Sequence, residues 1–226
     1  MSDIRARRGG ARRSSSGGRK TEVTISGDGV RLEGTLTLPH QALAIVAVLN
    51  DPEHGRDHPR NRFIADILRS TGIGTLALDL LTRAEDRSRS RSASPPLAQE
   101  WIPEHAVAAV NWLGDIDPAR DVAVGLLGHG PAATAALKAA AMRPDRVAAV
   151  VSSEGRPDPA EPSLSEGTAA ILLVVPGCDA HAFHVAVPIR IGYSGSERIS
   201  RRSVTARCFS VRSSRLRPPI QIQASS

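Results

Sequence analysis

The sequence predicts an α/β fold in three layers, a doubly wound and mostly parallel sheet with helices on both faces. Three observations point there. Five short apolar runs, Ala44–Leu49, Ile73–Leu78, Val122–Leu127, Val147–Val151 and Ala170–Val175, are separated for the most part by segments of helical periodicity, and such alternation marks a parallel sheet. The runs are apolar at nearly every position rather than at every second one, as strands buried on both faces are. A chain of 226 residues that is 41% hydrophobic can bury one core of this kind. Aromatic residues make up only 3%, so Ala, Val, Leu and Ile must build it.

The elements follow in order. Val23–Ile25 and Arg31–Leu38 read as a hairpin, with Gly27-Asp28-Gly29 as the turn and Leu32, Gly34, Leu36 and Leu38 alternating beyond it. Arg62–Ser70 carries Phe63, Ile64, Ile67 and Leu68 at helical spacing and stops at Gly72. Arg87–Pro96 alternates Ser and Arg and reads as a surface loop. Pro103 opens a helix with Ala106, Val107, Val110 and Leu113 on one face. The Val122–Leu127 strand runs into Gly128-His129-Gly130-Pro131-Ala132 and an alanine-rich helix to Met142.

Charge divides the chain into an acidic body and two basic ends. Residues 1–20 hold seven basic residues and one acidic, residues 188–226 eight and one, and the stretch between is net −7 although the whole is +6. A basic DNA-binding fold is thereby excluded. Residues 1–20 and 188–226, the latter with nine Ser and no sustained period, bury too little apolar surface to offset chain entropy and are expected to be poorly ordered. Such Arg-rich ends give weak contact with nucleic acid or anionic surfaces. The N-terminus lacks the apolar stretch of a secretory signal, no run is long enough to span a membrane, and Cys178 and Cys208 form no disulfide framework, so a cytoplasmic location is expected.

Residues 21–187 resemble the dienelactone-hydrolase branch of the α/β-hydrolase superfamily, in the form also found fused to phosphoribosyltransferases. The resemblance is carried by Val30–Leu36 (VRLEGTL), Pro59–Ala65 (PRNRFIA), Leu76–Thr82 (LALDLLT), the Gly128–Ala132 turn, Arg143–Ser152 (RPDRVAAVVS), Gly155–Asp158 (GRPD) and Pro176–Asp179 (PGCD), all in the order the family has them. It implies ester or lactone hydrolysis with no cofactor, a small ester, lactone or acid as ligand, and Asp179 as the retained acid of the triad. It also implies a nucleophile at position 130, where G-x-S-x-G carries its Ser.

The departures fall on the chemistry. Gly130 has no side chain to attack with, and Pro131 and Ala132 complete the turn. Asn50-Asp51 stands where relatives have His-Gly beside the oxyanion site, and a carboxylate there opposes developing negative charge. The general-base His is expected some 20–30 residues after Asp179, yet the last His of the chain is His184. The sheet is accordingly expected to lack its last strand and helix, and the catalytic function to be impaired. An alternative is an active hydrolase rebuilt around His129, Asp179 and His181, with Cys178 near by and a metal-bound water as nucleophile, and Ser152 and Ser153 end a strand on the same carboxyl edge of the sheet as the elbow. The spacing fits no established zinc pattern, so no metal is assigned. A third reading is an interaction protein acting through its basic ends.

Overall fold

The computed structural model describes residues 18–27, 30–51, 55–91, 102–117, 119–155, 168–176 and 204–209. Eight strands form one sheet: β1 (Arg19–Gly27), β2 (Val30–Leu38), β3 (Ala44–Asn50), β4 (Gly74–Asp79), β5 (Ala123–His129), β6 (Val147–Ser153), β7 (Ala170–Pro176) and β8 (Val204–Phe209). Among the described residues four helices accompany them: α1 (Pro59–Ser70), α2 (Arg83–Arg91), α3 (Ile102–Asp115) and α4 (Pro131–Met142). The strand order is β1-β2-β4-β3-β5-β6-β7-β8. The β1–β2 hairpin is antiparallel and joins β4 antiparallel, while every pairing from β4 to β8 is parallel. All five predicted runs are therefore parallel in a single sheet.

Chain order makes the site. From β3 the chain passes through α1 to β4 on one side, then returns to β5 on the other. Such a reversal opens a crevice beyond the carboxyl ends of the two strands that flank it. Leu49 pairs with Gly128, and His129 pairs with Ser153 on the next strand, so the ends of β3, β5 and β6 meet at that crevice. The core beneath is aliphatic: Ile45, Leu76, Leu78, Val110, Leu113, Val124, Leu126 and Leu137 are essentially inaccessible. Ala132, Ala133, Ala135, Ala136, Ala139 and Ala140 are all buried on α4, and side chains this small bring the helix close to the sheet.

Four sequence expectations are corrected. The segment predicted as a Ser/Arg loop begins as helix α2, with 92–96 outside the described residues. Its start is a capping box: Glu85 N–H donates to Thr82 Oγ1 at 3.2 Å and Thr82 N–H donates to Glu85 Oε2 at 2.7 Å. Arg19 and Lys20, placed in the basic tail, open β1 because their backbones pair with Leu38 and Thr37. The sheet does not end at β7, since Val204–Phe209 adds a parallel strand paired over Ile171–Pro176. Finally, the apolar stripe of α1 does not all face inward. Phe63 and Ile67 are exposed, and the helix is seated instead by Ala65 and by Asn61, whose Nδ2 donates to Gly55 O.

Candidate active site

The turn between β5 and α4 has the backbone of a nucleophile elbow. Gly130 sits at φ 54°, ψ −127°, in territory that L side chains rarely adopt, and its N–H donates to Ser153 O at 2.9 Å. A Cβ built on Gly130 meets nothing within 4 Å, so the position is open above the sheet. Gly128 is the opposite case. Its Cβ would lie 2.4 Å from Ala132 O, which makes glycine obligatory where the strand passes under the first turn of α4. The strained strand–turn–helix is intact, but its exposed apex bears no attacking atom.

The second deletion lies one residue on. The N–H following the apex ordinarily contributes to an oxyanion hole. Here Pro131 occupies the first turn of α4 and has no N–H to give. Sequence reasoning placed Pro131 in the site without drawing this consequence, although the residue type alone carries it.

At the crevice lies a small cleft of about 60 Å³. Leu49, Ile64 and Leu127 supply its apolar walls, and Asn50, Asp51, Arg60, Asn61, His129 and Ser153 its polar ones. Of the predicted site residues, Asn50, Asp51 and His129 are thus brought together. Asn50 is 2% exposed, and its Nδ2 donates to Val48 O and Leu78 O at 3.2 and 3.1 Å. Its Oδ1, like Arg60 Nη2, is buried without a hydrogen-bond partner among the described residues. Buried polar atoms are normally paired, so a carbonyl-type acceptor and a guanidinium donor stand ready in one cleft. Ser152, the expected pocket hydroxyl, is only 2% exposed and does not line it. The correction follows from strand alternation: Ser152 pairs with Gly128, whereas Ser153 pairs with His129 and shares its face.

His129 has a polar side chain beside each ring nitrogen at the cleft. Nδ1 lies 3.5 Å from Ser153 Oγ, and Nε2 lies 3.6 Å from Glu154 Oε2. Glu154 is the one non-glycine residue with positive φ among those described, at 55°. At the carboxyl end of β4, Asp79 accepts from the Arg56 N–H at 2.9 Å and meets the Arg56 guanidinium at 3.5 Å. Burial nonetheless holds its carboxyl above the usual carboxylate range, with Arg56 opposing the shift. Asp179, Cys178 and His181 lie outside the described residues. Among the described ones, no group of three or more His, Cys, Asp or Glu side chains could hold a metal ion, and no helix is long and apolar enough to cross a membrane.

Comparisons with known proteins agree with this geometry. No protein-family model matches the chain. Two Mycobacterium tuberculosis proteins, from strains CDC 1551 and H37Rv and provisionally named phosphoribosyl transferases, are 35% identical over 161 residues, or 71% of this chain. The chain spans about a third of the length of these curated relatives, 35%. Among solved structures, dienelactone hydrolase from Anabaena variabilis superposes with a TM-score of 0.77 at 30% identity, covering 86% of this chain and 87% of that one. An esterase from Pyrococcus furiosus shares the fold, with a TM-score of 0.65 at 13% identity over 93% of this chain and 87% of that one.

Proposed function

Because the chain belongs to the dienelactone-hydrolase family of α/β hydrolases, we propose that it is a member whose ancestral ester or lactone hydrolysis through the elbow is lost, while the cleft still receives a small ester, lactone or carboxylic acid. The observation that carries this reading is the turn at Gly130. Acyl transfer at an elbow needs an oxygen or sulfur at the apex and an N–H directed at the oxyanion. Gly130 and Pro131 remove one each while the backbone keeps its elbow form.

The ligand side of the reading rests on Arg60 and Asn50. A buried guanidinium nitrogen favours a carboxylate or ester oxygen, because charge-assisted hydrogen bonds to such acceptors are the stronger kind. The apolar walls suit a short acyl chain. Titration of the isotope-labelled chain with butyrate tests this, with butanol as the uncharged comparison. Butyrate should shift the amide signals of residues 49–51, 60–64 and 127–130 and saturate, and butanol should bind more weakly. Shifts scattered outside these segments, or equal binding of the two, would contradict the assignment.

A further inference from the structure

We propose that Ser153, His129 and Glu154 form a substitute nucleophile–base–acid set, one strand over from the empty elbow, through which the cleft cleaves small activated esters by way of an acyl-Ser153 intermediate. The inference rests on the reading that this cleft receives esters, and goes beyond it by naming a second route.

The register of the sheet makes the juxtaposition. His129 ends β5 and Ser153 ends β6, and they are paired neighbours with side chains on one face, both lining the cleft. His129 Nδ1 stands 3.5 Å from Ser153 Oγ, and His129 Nε2 stands 3.6 Å from Glu154 Oε2 on the other side of the ring. These separations are looser than the roughly 2.6–3.2 Å of an engaged pair, and such contacts commonly tighten when substrate seats. In the proposed set, the Glu154 carboxylate closing on Nε2–H would fix the tautomer that turns the Nδ1 lone pair toward the hydroxyl.

The backbone that carries Ser153 and Glu154 is held from three sides. Gly130 N–H donates to Ser153 O and Glu154 N–H donates to Val174 O, each at 2.9 Å. Gly155 packs so closely that a Cβ there would lie 2.5 Å from Ala133 Cβ. Within that frame Glu154 keeps a φ of 55°. A non-glycine residue retained in this conformation is most often found where a site needs it.

The step balances as follows. Ser153 Oγ bonds to the ester carbonyl carbon as its proton passes to His129 Nδ1, and the carbonyl oxygen takes the electron pair. Arg60 lines the same cleft, its Nη2 buried without a partner among the described residues, and its guanidinium turned into the cleft would meet that oxyanion. Collapse breaks the carbon–alkoxy bond, and His129 returns the proton to the departing alkoxide. Water then attacks the acyl group with His129 again as base, releasing the acid and restoring Ser153. Glu154 touches no reacting atom and is a positioning residue.

The test uses the full chain with p-nitrophenyl acetate. Nitrophenolate should appear, and fragmentation of the tryptic peptide spanning 147–190 (Arg156 precedes Pro157 and is not cut) should place an acetyl group on Ser153. Ser153→Ala and His129→Gln should each slow acylation by about a hundredfold or more, and a chelator should leave it unchanged. Glu154→Gln should slow it by about tenfold with the half-saturating ester concentration unchanged, a split that a general loss of structure would not produce. Ser152→Ala should retain the wild-type rate. If Ser153→Ala fails to fold, Ser153→Cys keeps the shape and should take the acetyl group as a thioester. Acetyl found only on Ser152 or on a lysine, or none at all while butyrate still binds, would overturn the proposal and leave the reading of the cleft in place. A gain of turnover on Gly130→Ser would instead overturn the reading of the elbow.

Discussion

Gly128 and Gly130 stand two residues apart and should respond oppositely to the same added methyl group. At Gly130 the methyl has room, since nothing lies within 4 Å of the built Cβ. Its cost is conformational, about 1–3 kcal/mol for an L residue in so sparsely populated a region. Lower entropy of the unfolded chain returns about 0.4–1 kcal/mol of that. Gly130→Ala should therefore destabilise by about 1.3 kcal/mol at the middle of these ranges and by about 2.6 kcal/mol at most. At Gly128 the methyl would lie 2.4 Å from Ala132 O and 2.6 Å from Ala133 N, both backbone atoms in the first turn of α4. Neither can swing aside as a side-chain end would, so α4 must lift off β5. Overpacking of this kind costs about 1–3 kcal/mol and sometimes more, and displacing a helix with eight buried residues belongs at the upper end. At about 2–4 °C per kcal/mol for a domain of this size, Gly130→Ala should lower the midpoint of thermal unfolding by about 3–5 °C. Gly128→Ala should lower it by about 6 °C or more. Circular dichroism at 222 nm reads both. Equal losses, or the larger one at Gly130, would refute the described path of the turn.

Two further substitutions probe the surroundings. Glu154→Gly relieves a strain of about 1–2 kcal/mol, offset by about 0.4–1 kcal/mol of added chain freedom. The half-exposed contact with His129 contributes little, so calorimetry should show a midpoint raised by about 1–4 °C, and a lowered one would contradict the strain. Asp79→Asn tests the buried carboxyl. Because burial raises the folded pKa of Asp79, the native state holds its proton more tightly than the unfolded chain above about pH 4. Ionisation then costs stability as pH rises through the raised pKa. The variant should gain on the wild type in urea midpoint between about pH 4 and pH 7, and a gain that grows toward acid would contradict the sign.

The fold was legible because burial on both faces writes itself into sequence. Ala44–Leu49 and Val122–Leu127 are apolar at nearly every position, which leaves few alternatives to a central parallel strand. What was misread depended on polar or pairwise information. The start of α2 is written in Thr82 and Glu85, a side-chain exchange that the Ser/Arg composition downstream obscured. Helix α1 is seated by Asn61 and Ala65 rather than by its largest apolar residues, and periodicity alone cannot report which face a helix presents. Strand β8 is recruited by pairing with β7, a non-local gain with no local signature. Within the site, Gly130 and Asn50 were visible by position. The choice between Ser152 and Ser153 was a matter of register, and register is fixed only when β5 and β6 are aligned. The consequence of Pro131 was present in the residue type from the start.

The claim that the elbow no longer supports acyl transfer is tested most directly by Gly130→Ser in stopped flow against p-nitrophenyl butyrate. The new side chain has space at the apex, but no N–H follows it at Pro131 and Asp51 still lines the cleft. The variant should show no burst and no turnover beyond those of the unsubstituted chain, and no acyl group on residue 130. A burst approaching one equivalent, with the acyl group recovered on residue 130, would contradict the account.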